Sequence, residues 1–166
     1  GDYVALFYFA QSLGSSINIQ REDLSKMAKM NHAIKTMNWV CKKAPSIERS
    51  GCDLYRAIMA SSLPSIMGGS QNKAKAIFKK IMKDRPYDLL AHQSYIQYHL
   101  VPMMEEESFY KEMKDLKGKL DIWYGLQLGI EKKNSDLFKT NRNYNLYNAI
   151  ANKRFYILRK NSKELL

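Results

Sequence analysis

Catalysis needs side chains that converge with matched protonation, so the histidines are the natural first place to look for it. There are three, His32, His92 and His99. None stands near a Ser, Cys or carboxylate in a spacing that marks a triad or a metal motif. His92 and His99 are seven residues apart and share one face of a helix, whereas a helical metal pair needs the i, i+4 spacing of the zincins. All three therefore read as packing or surface groups, giving no catalytic residue, no metal ligand, no cofactor and no enzyme. Cys41 and Cys52 lack CxxC or Cys/His spacing, which argues against structural zinc. They flank Pro45 near the facing ends of two antiparallel helices, so a disulfide is conceivable in an oxidising compartment. Two buried free thiols are the expectation, because unpaired cysteine behaves as a small core residue.

Binding chemistry is better represented than catalysis. Tyr95 and Tyr98, with His99, can line an amphipathic cleft, since tyrosine offers apolar area and one orienting hydroxyl. Core packing is the favoured alternative for aromatics at helical spacing. Tyr55 and Arg56 carry the same two readings; an arginine beside a buried face suits an anionic ligand or a carboxylate partner, and Asp53 is the nearest carboxylate.

Helices must position these residues. The chain has 166 residues, 45% apolar and 26% charged, which suits one globular domain, residues 1–166, with a real core. Four prolines and eight glycines leave long uninterrupted segments, so the fold class is all-α, in antiparallel helix hairpins stacked as a tetratricopeptide-like repeat. The apolar run from Val4 to Ala10 is far short of the roughly 20 residues of a membrane span. The net charge of +11 comes mostly from lysines spread over every helix, the pattern of a solvated surface and not of a nucleic-acid footprint. No start methionine or leader is present, and upstream sequence is expected in the natural protein.

The periodicity predicts a first helix from Asp2 to about Ser16, apolar nearly all round and so expected to pack between neighbours that include upstream residues. A second runs from Arg21 to Lys43, with Leu24, Met27, Met30, Ala33, Met37 and Val40 at spacings of three and four, and ends at Pro45. A hairpin follows: Asp53 to Leu63, then a loop with Pro64, Gly68 and Gly69, then a helix capped by Ser70 and stopped before Pro86. The loop residues are structural, glycine permitting positive φ and proline ending the helix. A third pair spans Asp88 to Val101 and Met104 to Leu116. Beyond Gly118 come a short helix from Asp121 to Lys132, an extended or mobile run from Lys132 to Asn145, and a last helix from Leu146 to Lys160.

Three of these segments resemble one family in the same order. Leu63 to Phe78, LPSIMGGSQNKAKAIF, resembles a Leu-Pro pair, short loop and Gly-Gly before a lysine-rich helix. Leu89 to Pro102, LLAHQSYIQYHLVP, is similar to the helix that follows, and Leu146 to Leu166 to the carboxyl-terminal segment with its Asn-Ala-x-Ala core. Phe7, Tyr8 and Gly14 fit the aromatic first helix. The family is TatT, the T component of TRAP-type transporter systems. The resemblance implies a periplasmic tetratricopeptide-like protein, anchored as a lipoprotein in full-length form. It would bind the solute-binding protein of a TRAP system, together with a small hydrophobic or organic-acid ligand. It also implies that a homotrimer can form, with a pore or cleft through each protomer. In that reading Leu63, Pro64, Gly68 and Gly69 identify the family without contacting ligand. The rival reading is a generic tetratricopeptide-like scaffold for a peptide or protein segment.

Overall fold

The computed structural model describes residues 2–19, 25, 28–132 and 135–166. They fall into two compact units, Gly1–Cys52 and Asp53–Leu166. Among the described residues the chain is helical with no strand, as the composition predicts.

In the first unit α1 (Tyr3–Ile19) starts at Asp2, whose Oδ1 accepts the Ala5 N–H at 3.0 Å and so satisfies one of the helix's unpaired donors. It packs on α2 (Met30–Lys43) in antiparallel fashion, with Tyr3 against Trp39 and Phe9 against His32. Phe7 and Ala10 are buried against a face built of Ala33, Met37, Val40 and Cys41. Part of the α1 surface is open, with Val4 47% and Phe9 50% exposed. The predicted start of the second helix, with Leu24, lies outside the described residues, as does Met27; a turn at 28–29 precedes Met30.

The two cysteines are bonded to each other, which corrects the expectation of free thiols. Pro45 ends α2, and Glu48 and Arg49 take positive φ values of 46° and 59°, reversing the chain over six residues of turn. That reversal brings Cys52, in the first turn of α3 (Gly51–Ser62), to a Cα–Cα distance of 5.6 Å from Cys41 in the last turn of α2, within disulfide reach.

The second unit contains the rest of α3, then α4 (Gln71–Asp84), α5 (Leu89–Tyr95), α6 (Glu106–Gln127), α7 (Ser135–Asn141), α8 (Asn145–Lys160) and the short α9 (Ser162–Leu165). Ser70 caps α4 as expected, its Oγ accepting the Lys73 N–H at 3.3 Å. The Leu63–Gly69 loop closes tightly: Gly68 adopts φ 89°, and a Cβ on Gly69 would sit 1.7 Å from the Leu63 carbonyl oxygen. All seven residues of α5 are buried, making it the central helix of the unit. Its chain continues as a π-helical turn, Ile96–Leu100, in which the Val101 N–H bonds the Ile96 carbonyl at 3.0 Å, five residues back. Phe78, Ile96, Leu100, Phe109, Leu116 and Trp123 pack around it.

Two expectations fail here. α6 does not stop at Leu116; it runs unbroken through Gly118 to Gln127. A mid-helix glycine costs about 1 kcal/mol. The buried stripe Leu116, Leu120 and Trp123 continues across it, and the i, i+4 pairs Lys117–Asp121 and Asp115–Lys119 bracket it, which together outweigh that cost. The run from Lys132 to Asn145 is not extended either, for α7 and a 3₁₀ turn, Arg142–Tyr144, occupy most of it. Phe138 anchors α7 edge-on to Trp123, with ring centroids 5.2 Å apart.

Candidate functional site

The residues singled out for binding separate into two groups. Tyr95 and His99 come together but inside the core, each 2% exposed, with rings stacked 5.2 Å apart. Phe78 lies against Tyr95, and the Lys79 ammonium sits 4.5 Å from its ring centroid. His99 Nδ1 is 2.9 Å from Gln71 Oε1, and its Nε2 is 3.6 Å from Glu105 Oε1, which Lys75 also reaches at 3.2 Å. Burial pushes the Tyr95 hydroxyl up to about 12, with Glu105 and Glu112 adding to it, and burial lowers His99 from its ordinary value. This group is thus a neutral, hydrogen-bonded aromatic stack that ties α5 to α4 and to the start of α6. Tyr98 is partly buried and packs against the same core.

Tyr55 and Arg56 form the second group, on α3. Arg56 pairs with Asp53 at 3.0 Å, the carboxylate partner expected, but on an open surface where the two side chains are 48% and 42% exposed. Burial raises the half-buried Tyr55 hydroxyl above its usual range.

Two further features were not apparent in the sequence. Glu112 and Asp115, one turn apart on α6, face His92 on α5 with oxygens 3.9 and 4.0 Å from its Nδ1. This corrects the reading of His92 as lacking a nearby carboxylate arrangement; the carboxylates are supplied by another helix. The approach of His92, together with the Lys79 ammonium, outweighs burial and holds the Glu112 carboxyl down to about 2.

The second feature is a groove of about 380 Å³ between α6 and α8. Phe109, Met113 and Phe155 form its apolar floor, and Lys114, Lys117 and Arg159 its cationic rim. Lys117 is engaged by Asp121. Lys114 and Arg159 take part in none of the ion pairs among the described residues, so the rim offers two uncompensated cations above an aromatic surface.

Helices packed in pairs, with no strand among the described residues, define an all-α helical-repeat protein. The family model for the TRAP transporter T-component matches residues 1–122, and the chain belongs to that family. The match takes in the Leu-Pro/Gly-Gly loop, the α5 segment and the first helix, while the carboxyl-terminal segment lies beyond it. No curated protein and no solved structure matches the chain.

Proposed function

We propose that the chain is a non-catalytic partner of a TRAP solute-binding protein in the periplasm and holds a small amphiphilic organic acid in the α6–α8 groove. The groove carries the ligand half of this reading. An aromatic and methionine floor suits an apolar tail, and two unpaired cations at the rim suit a carboxylate head, with Arg159 able to bind it in bidentate fashion. Family membership supports the partner half. The Cys41–Cys52 bond supports an oxidising compartment, since such bonds persist outside the cytoplasm. Tyr95 and His99, sealed in the core, hold α5 in place; Tyr55 and Arg56 are the earlier candidates left near a surface that a partner can reach. A lipoprotein anchor and a trimeric assembly belong to the same proposal.

The test is affinity capture of the full-length protein from native periplasmic extract, with mass spectrometry of bound proteins and released small molecules. Recovery of a TRAP solute-binding protein with a carboxylic acid supports the reading. Recovery of unrelated proteins alone, with no acid released, overturns it in favour of a generic tetratricopeptide-like scaffold.

A further inference from the structure

His92 is buried at great disadvantage. It is 4% exposed, and neither ring nitrogen has a hydrogen-bond partner. An imidazole placed so has given up its hydration without gaining a hydrogen bond at either nitrogen, and either nitrogen can take a ligand or ion.

What stands before it is a pair of carboxylates at i and i+3 on α6, Glu112 and Asp115, on one helix face. The distances from Nδ1, 3.9 and 4.0 Å, are too long for hydrogen bonds. They come near what two donors sharing one ion need: donors each about 2.1 Å from a tetrahedral metal are about 3.4 Å apart, and about 4.2 Å is the upper limit for any geometry. All three donor atoms lie within 4.8 Å of one another, so side-chain movements of about 0.5–1.5 Å close the set on one ion. We propose that His92, Glu112 and Asp115 form a binding site for a divalent first-row transition ion of the zinc type. One imidazole and two carboxylates suit such an ion better than calcium or magnesium, which take oxygen donors, or copper(I), which takes sulfur. Three protein donors leave one position open to water or to a carboxylate ligand. The site stands apart from the α6–α8 groove and does not depend on the transport reading.

Two lysines now occupy the carboxylates. Lys79 holds Glu112 through Oε1, leaving Oε2 turned toward His92, so Glu112 can serve lysine and metal together. Lys119 holds Asp115 through Oδ2, the same oxygen that faces His92. Lys119 must therefore give way to the ion, and its long side chain can swing into solvent.

The experiment is calorimetric titration of metal-free, disulfide-intact protein with zinc chloride alone, with X-ray absorption at the zinc edge on the loaded sample. One equivalent binds, with a single imidazole in a nitrogen–oxygen shell. His92→Gln and Asp115→Asn each weaken binding at least tenfold; the second keeps the core intact, because the Asp115 side chain is 49% exposed. Lys119→Ala tightens binding by removing the competitor, an effect a merely structural role for Asp115 does not produce. Absence of binding, wild-type affinity in Asp115→Asn, loss of binding only in His32→Gln or His99→Gln, or a shell with two imidazoles each overturns the proposal.

Discussion

Asn148 of α8 accepts the Leu89 N–H through its Oδ1 at 3.1 Å, which makes it the cap of a helix 59 residues earlier in the chain. Its amide nitrogen donates to the Tyr87 carbonyl at 3.0 Å. Asp88 supplies a local cap as well, accepting from Ala91 N at 3.3 Å. The start of α5 is thus satisfied by one residue beside it and one far away, and the far one locks α8 onto the central helix. Asn148 is fully buried, and Ala151, one turn on, is fully buried too, so the Asn-Ala-x-Ala core seen in the sequence is a docking surface for α5.

Asn148→Leu should destabilise the protein by about 3 kcal/mol, because a buried N–H and a buried C=O both lose their partner. Asn148→Asp retains an acceptor for Leu89 but sets a carboxylate against the Tyr87 carbonyl, and should also be destabilising. Urea unfolding midpoints measure both.

Gly68 and Gly69 should respond unequally to alanine. Gly68 has φ 89° and open space around its Cβ direction, so Gly68→Ala should cost about 1–2 kcal/mol of backbone strain. At Gly69 a Cβ meets the Leu63 backbone at 1.7 Å, and the neighbouring bonds, Gly69 N–H to Pro64 and Ser70 N–H to Ala60, must break for the loop to move. Gly69→Ala should therefore cost more than about 3 kcal/mol. Thermal melts of the two variants give the order.

These cases show what a sequence makes visible. Ser70 was legible as a cap because capping is decided within one turn, and Gly68 because positive φ selects glycine locally; Gly69 is set by the close Leu63 carbonyl instead. The continuation of α6 through Gly118 was not, since the buried stripe that carries it across depends on what α6 packs against. Nor was α7, a polar segment held by Phe138 on Trp123. His92 read as solitary because Glu112 and Asp115 lie 20 and 23 residues on, and only the α5–α6 pairing brings them together. The pairing of Cys41 with Cys52 depended on the left-handed residues Glu48 and Arg49, for which no glycine or asparagine gave notice.

Reducing that bond should loosen the first unit. The loop it closes spans a sequence separation of 11, for which the chain-entropy account gives about 3 kcal/mol. A melt with and without reductant should show the loss, and alkylation before reduction should label neither cysteine.

Stability should fall in acid through Glu112. Its carboxyl sits at about 2 against an ordinary 4.5, so its contribution is complete above pH 4.5 and disappears as pH drops toward 2. The contribution is on the order of 2 kcal/mol after allowance for solvent screening. His99, lowered by burial, acts in the same direction at higher pH: the unfolded state takes up its proton first, below about 6.5. In chelator-treated samples, Glu112→Gln should flatten the pH dependence between 4.5 and 2 and leave the His99 region unchanged.

The groove can be tested by separating its two chemistries. Lys114 and Arg159 supply charge, whereas Phe109, Met113 and Phe155 supply apolar contact, so a carboxylate and an alcohol of equal chain length sample different parts of it. Dodecanoate should bind more tightly than dodecanol, and Lys114→Gln with Arg159→Gln should remove most of that difference, about tenfold or more for two charge-assisted contacts. Dodecanol should be affected little, because the floor is untouched. Met113→Ala should weaken both ligands together by shortening the apolar surface. Equal binding of acid and alcohol to the wild type, or an acid preference that survives loss of both cations, would place the carboxylate elsewhere and sink the assignment of this groove.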